Sequence, residues 1–367
     1  MTTGVTTPLR ILVLGASYGV ILGMRIAAAG HRVTFVCREQ EAALINAKKL
    51  FLRIPAKDRT LPVEISASQC PVAPDACVPG DVDPGGYDLV CLAMQEPQFS
   101  SPGVRQLVGR LARSRIPILS IMNMPLPPFL NKITTMDDQT AAAIFTEPEL
   151  WAEIDASVFA MASADPQAMR VDADDAIIIS ATLPTNFKVA PFEHAPHQLM
   201  FEQLCRDIDV FRIDVGGGTL CQPRVRLRPH ASNFLPLVKW PMLITGNFRC
   251  MTSGEPISIG EAVCSNEPES RDIYEWVLQV CTALGVEESK LVPFDRYLTA
   301  AEGLSLPSSL ARGLHAGEIG VERVDKLIQF LAGRHGMVHS VLDRIVADVN
   351  ARLEGNRVRQ AGVGLKE

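Results

Sequence analysis

Leu9-Arg10-Ile11-Leu12-Val13-Leu14-Gly15-Ala16-Ser17-Tyr18-Gly19 passes from a continuous apolar run into a glycine-spaced turn, and Val20 to Gly30 continue it with small and aliphatic residues. A second β-branched run, Arg32-Val33-Thr34-Phe35-Val36-Cys37, ends at Arg38. Strand, glycine turn, helix and strand in that order form the unit that sets a pyrophosphate against a helix amino terminus, where amides and dipole favour the anion. Gly15, Ala16, Ser17, Tyr18 and Gly19 are therefore the candidate cofactor turn. It is one residue tighter than G-x-G-x-x-G, with Ser17 where a middle glycine would stand, so its context carries the reading. A buried-type strand precedes it, a small-residue helix follows, and Gly30 is placed to end that helix. The alternative is an α/β domain whose small residues serve only close helix–sheet packing.

The end of the second strand meets the adenosine ribose in such folds. An acidic residue there binds the 2′-hydroxyl of NADH, whereas a guanidinium pairs with the 2′-phosphate of NADPH. Arg38 comes first and favours NADPH over NADH; Glu39, next to it, is the alternative ribose ligand.

At 367 residues, 47% hydrophobic, the chain can bury a large core and is expected to form two domains. A net charge of −6, with Lys and Arg dispersed, argues against nucleic acid or an anionic membrane as partner. No apolar run reaches the roughly 18 residues of a membrane span. The polar start, Met1-Thr2-Thr3-Gly4, is unlike a signal peptide, so a cytoplasmic protein is expected. Nine cysteines without a C-x-x-C pair read as reduced, mostly buried thiols. His194 and His197 are spaced for a metal but have no evident third ligand, and no metal is expected.

Residues 41–52 read as helical and 71–86 as mostly loop. Asp88-Leu89-Val90-Cys91-Leu92-Ala93 is a third strand, residues 104–113 an amphipathic helix, and Ile116-Pro117-Ile118-Leu119-Ser120-Ile121 a further strand ending at Asn123. Strands alternating with helices make a doubly wound parallel sheet, whose ligands bind beyond the carboxyl ends of the strands. That rule puts the cofactor turn, Met94-Gln95 and Asn123 on one rim. Residues 137–230 form an extended middle region, with a strand at 176–181 expected to extend the sheet, a helix at 197–208, a break at Gly216-Gly217-Gly218, and Arg224, Arg226 and Arg228 along a strand. Periodicity is helical over 234–353: Ile319, Val324, Leu327, Ile328 and Leu331, then Leu342, Ile345, Val346 and Val349. The expected fold is thus an α/β, Rossmann-type domain over 1–230, an all-helical domain over 231–353 and a polar tail over 354–367.

Lys239 opens the helical domain in apolar surroundings, Asn247 follows eight residues on, and Ser308-Ser309 leads to Gly317-Glu318. This arrangement resembles the ketopantoate reductase (2-dehydropantoate 2-reductase) family. The resemblance implies a helical domain like that at the carboxyl end of 6-phosphogluconate dehydrogenase, serving substrate and a homodimer contact. It makes Lys239 the main catalytic residue, Asn123 the strand-end asparagine, Asn247 the second asparagine of the lysine helix, Glu318 the late glutamate and Ser308 or Ser309 the substrate serine. The chain departs from the family in its short glycine turn, in Met94-Gln95 where a lysine is expected, in Leu243 where an asparagine is expected, and in a shorter serine-to-glutamate spacing.

The chemistry needs these residue types. Hydride delivery to a ketone leaves charge on the carbonyl oxygen, which must be stabilised and protonated, and Lys239 can do both. Asn123 would bridge cofactor and substrate or else form a turn before Pro125. Glu318 would hold a substrate hydroxyl or assist proton transfer, or else be a solvated helix residue; Ser308 and Ser309 would touch substrate or cap a helix. The three arginines would hold a carboxylate or line a sheet edge. The expectation is an NADPH-dependent reductase of a 2-oxo acid or similar small ketone. Its rivals are a hydroxyacid or opine-type dehydrogenase using His315 or His230, and a non-catalytic NADPH sensor.

Overall fold

The computed structural model describes residues 7–57, 59–163, 168–171, 173, 175–181, 183–215 and 218–363. The chain divides into two compact units, Met1–Thr135 with Glu147–Asn233, and Met136–Thr146 with Phe234–Glu367. The short helix Asp138–Ile144, read from sequence as part of the extended middle region, belongs to the second unit.

The first unit is built on an eight-stranded sheet in the order β14 (Val225–Pro229), β11 (Thr185–Val189), β8 (Phe159–Ser163), β7 (Ile118–Ser120), β6 (Leu89–Leu92), β1 (Arg10–Leu14), β2 (Arg32–Val36) and β5 (Asp75–Cys77). All neighbours run parallel except β8 and β11. β6 and the last four residues of β1 are fully buried, as parallel strands covered on both faces must be. The strand order reverses direction between β1 and β6, which makes their carboxyl ends the topological switch point.

Helix α1 (Gly19–Ala28) is buried along its whole length. Small residues make that possible: a Cβ on Gly19 would lie 2.6 Å from Val13 Cγ1, and one on Gly23 2.5 Å from Phe35 Cζ. Even Arg25 is enclosed, donating to the carbonyls of Ile208 at 2.9 Å and Val225 at 3.2 Å, with its guanidinium over the Phe211 ring. Burial pulls its pKa down to about 9.

A second sheet, β4 (Val63–Ser66), β3 (Leu50–Ile54), β10 (Ile177–Ala181) and β9 (Ala168–Val171), departs from the sequence reading. The helix expected over 41–52 is Glu39–Asn46; Lys48, at φ 63°, turns the chain and Leu50 begins a strand. β10, expected to extend the main sheet, pairs with β3 instead. β8, β11 and β14 are the strands that lengthen the main sheet. Within the expected loop at 71–86, β5 adds an edge strand beside β2. Gly218 has φ +77°, while Gly216 and Gly217 of the expected break lie outside the described residues.

The second unit is helical. Its principal helices are Ile259–Cys264, Glu267–Ala283, Phe294–Ala301, Ser309–His315, Val324–Arg334 and Ser340–Val363. Ile319 precedes the Val324 helix and is exposed rather than part of its apolar stripe. The last helix runs on through the polar residues from Glu354 that the sequence suggested were a tail. Among the described residues no helix is long and apolar enough to cross a membrane.

Candidate functional site

In the first unit the candidate cofactor turn, Gly15–Gly19, leaves β1 at the switch point. Gly15 has φ +110°, a conformation that favours glycine, and its amide donates to the Val36 carbonyl at 2.9 Å. A Cβ there would lie 2.7 Å from the Ala93 carbonyl oxygen and 2.9 Å from Met94 Cγ. The ends of β1 and β6 therefore meet at Gly15, and Met94 packs on the turn. Ala16 is buried, Ser17 exposed and Tyr18 half-buried, its ring edge-on to Phe187. The earliest amides of α1, Val20 and Ile21, bond back to Ser17 and Tyr18 carbonyls, so the turn tightens into the helix. Gly15 is thus required by the close approach of the β1 and β6 ends, and the turn it opens leads to the amino terminus of α1, where a dinucleotide fold sets the pyrophosphate.

Gln95 is half-buried and its amide donates to Gln98 Oε1 at 3.0 Å, starting the short helix after β6. Asn123 is half-buried just beyond β7. Arg38 lies two residues beyond β2, as the N-cap of the helix Glu39–Asn46, with its side chain 87% exposed and its Nε 3.5 Å from Glu41 Oε2. Arg170, unmarked in the sequence, reaches Glu41 Oε1 at 2.6 Å from β9. The signal for it was unreadable because the two residues stand 129 positions apart.

In the second unit, Lys239 closes a 3₁₀ turn, Leu235–Lys239, that continues through Trp240–Met242 into a π-turn, Leu243–Asn247. Pro236 and Pro241 each remove an amide donor, which disfavours a regular α-helix here. Lys239 immediately precedes the Trp240–Asn247 stretch and Asn247 ends it. Both residues are half-buried, whereas Ile244, Thr245 and Gly246 between them are buried. The π-turn is braced from outside: Tyr297 Oη donates to the Met242 carbonyl at 3.2 Å and packs against Gly246, and Arg249 donates to the Thr245 carbonyl at 3.3 Å.

Ser308 Oγ donates to the Asn247 carbonyl at 2.7 Å and accepts from the Ala311 amide at 3.1 Å, so this serine holds the lysine helix and caps the next. Ser309 beside it is exposed. One turn on, Gly313 leaves room for Glu318: a Cβ on the glycine would be 2.5 Å from Glu318 Oε2. Desolvation against this surface raises the Glu318 carboxyl above its ordinary value, although the residue as a whole remains exposed. Asn247, Ser308, Ser309 and Glu318 thus lie along one connected stretch of helix ends.

The other candidates are placed differently. His315 is exposed and lies 3.3 Å from Glu255 Oε2, and His230 Nδ1 accepts from the Ser232 amide at 3.3 Å. Arg228 pairs with Asp209, Arg226 donates to Gln222 at 3.2 Å, and Arg224 is exposed. His194 and His197 have ring centroids 5.3 Å apart, and no group of three or more metal-ligating side chains occurs among the described residues. Eight of the nine cysteines are buried or half-buried; Cys264 is exposed.

No family model matches the sequence, and no curated protein does. Solved structures do match. A ketopantoate reductase of the PanE/ApbA family from Ralstonia eutropha JMP134 aligns with 95% of this chain and 100% of its own, at TM-score 0.61 and 16% identity. A dimeric ketopantoate reductase from Staphylococcus aureus aligns over 95% and 100%, at TM-score 0.57 and 12% identity. D-mandelate dehydrogenase, solved with NADH and anilino(oxo)acetate, aligns over 95% and 100% at TM-score 0.61 and 10% identity. The chain has the fold shared by the ketopantoate reductases and D-mandelate dehydrogenase, at a sequence distance that marks it as divergent.

Proposed function

We propose that this chain is an NADPH-dependent reductase of a 2-oxo acid or similar small ketone. The observation that supports the reading is the lysine helix, on which Lys239 and Asn247 are both half-buried and whose end is braced by Ser308 through the Asn247 carbonyl. The turn Gly15–Gly19 would hold the pyrophosphate, Arg38 the 2′-phosphate, and Met94, Gln95 and Asn123 the part of the dinucleotide nearest the strand ends. The bound cofactor supplies a hydride to the substrate carbonyl carbon. The chain's own task is the oxygen: Lys239 Nζ stabilises the charge developing there and gives up a proton to it. Asn247, Ser309 and Glu318 orient the substrate, while Ser308, committed to the Asn247 carbonyl, holds that asparagine in place.

The likeness to D-mandelate dehydrogenase with anilino(oxo)acetate supports a 2-oxo acid as the substrate class, and the dimeric reductase supports a homodimer. Absorbance at the reduced nicotinamide band, followed across a panel of 2-oxo acids with NADPH and with NADH, tests the reading. Turnover of at least one acid with preference for NADPH is expected. Nucleotide binding without turnover of any 2-oxo acid or small ketone would show a sensor instead.

A further inference from the structure

The helix after β2 (Glu39–Asn46) is fixed to the sheet edge by a two-way bond: Asn46 Nδ2 donates to the Ala76 carbonyl and Asn46 Oδ1 accepts from the Ala76 amide, both at 2.9 Å. Glu41, on its first turn, is thereby held at the end of β2 with a side chain only 14% exposed. Two guanidiniums converge on this one carboxylate. Arg38 approaches Oε2 from the strand end, and Arg170 approaches Oε1 from β9. The strand carrying Arg170 comes from the middle region and is seated by antiparallel pairing with β10, Arg170 opposite Ile179.

Within the cluster one carboxylate meets two guanidiniums, where a dinucleotide fold places the adenosine ribose, and Glu39, beside Arg38, is exposed. The side chains remain reachable, Arg38 at 87% and Arg170 at 39% exposure. A dianionic 2′-phosphate offers three acceptor oxygens and can engage two guanidiniums at once, which a ribose hydroxyl cannot. Glu41 then plays two parts. It positions both guanidiniums and, as a competing anion, weakens the phosphate's hold on them.

We propose that Arg170 is a second specificity residue for the 2′-phosphate, forming with Arg38 a clamp that Glu41 holds in place. This rests on the NADPH reading above and adds to it a residue from the middle region and a carboxylate that tunes the clamp. The ligand chemistry is a ribose 2′-phosphomonoester.

Isothermal titration of the full chain with NADPH, NADH, 2′,5′-ADP and 5′-ADP tests it. R170A is expected to weaken NADPH and 2′,5′-ADP by about ten- to a hundredfold, the range for one hydrogen bond to a charged group, and to leave NADH and 5′-ADP nearly unchanged. E41Q keeps an oxygen for the Arg38 amide but removes the competing charge, and should tighten the two 2′-phosphorylated ligands severalfold. R170A that weakens all four ligands equally, or none, overturns the role of Arg170. If R170A is silent while R38A still loses NADPH selectivity, the clamp fails and the NADPH reading stands. A parent protein that prefers NADH overturns both.

Discussion

The Asn247 carbonyl oxygen accepts a hydrogen bond from Ser308 Oγ across 61 residues of sequence, at 2.7 Å, on a serine that is 3% exposed. The bond fastens the end of the π-turn to the start of the Ser309–His315 helix, whose first turn the same hydroxyl caps. Ser308→Ala removes both interactions and leaves a carbonyl without this partner. The expected cost is about 1–3 kcal/mol, read as a lower urea midpoint at unchanged slope. In the reductase assay it should raise the KM for substrate through Asn247, with the NADPH dissociation constant unaltered.

Gly15→Ala addresses the cofactor turn. With φ at +110° and the Ala93 carbonyl 2.7 Å from the new Cβ, the chain must shift locally, at a cost of roughly 1–3 kcal/mol. NADPH and NADH should both bind much more weakly, because the pyrophosphate cradle itself is displaced. Titration with each nucleotide checks this, and equal loss for the two distinguishes the turn from the 2′-phosphate residues.

His31 provides a pH test of the first unit. Its Nδ1 accepts from the Leu9 amide at 3.1 Å, so the ring proton is assigned to Nε2, which faces Asp207 Oδ2 at 3.3 Å. Burial lowers the ring's pKa, and Asp207 opposes the shift only in part. The folded state therefore binds fewer protons than the unfolded chain once the pH falls below the ordinary histidine value of about 6.5. Stability contributed by the neutral ring is intact above that pH and is lost progressively below it. Urea midpoints measured from pH 7.5 to 5.0 should fall, and His31→Gln should fall less over the same interval.

Local signals in the sequence carried the nucleotide half of the fold. β1, the turn, α1 and β2 are consecutive, and each reveals itself by period and by glycine placement. Gly23 was passed over, because its need to clear Phe35 appears only when helix and strand are packed. The strand Leu50–Ile54 was absorbed into the preceding helix because residues 41–52 contain enough apolar side chains for either period, and the turn at Lys48 has no glycine to announce it. β5 is three residues long inside a proline- and glycine-rich stretch, too short for any periodicity. Lys239, Asn247, Ser308 and Glu318 could be named from the resemblance, but not the π-turn that lies between the first two, nor the use of Ser308 as a brace. The Arg38–Glu41–Arg170 cluster depends on strand pairing between distant segments, which one sequence does not encode in any local pattern.

The central claim is that Lys239 delivers the proton to the reduced carbonyl. The direct measurement is kcat for NADPH-dependent reduction of the best 2-oxo acid by Lys239→Ala, together with its NADPH dissociation constant. The prediction is a fall in kcat of about 10²–10⁴-fold, the range for losing a positioned general acid, with nucleotide affinity within about twofold of the parent. A variant that turns over as fast as the parent would contradict it.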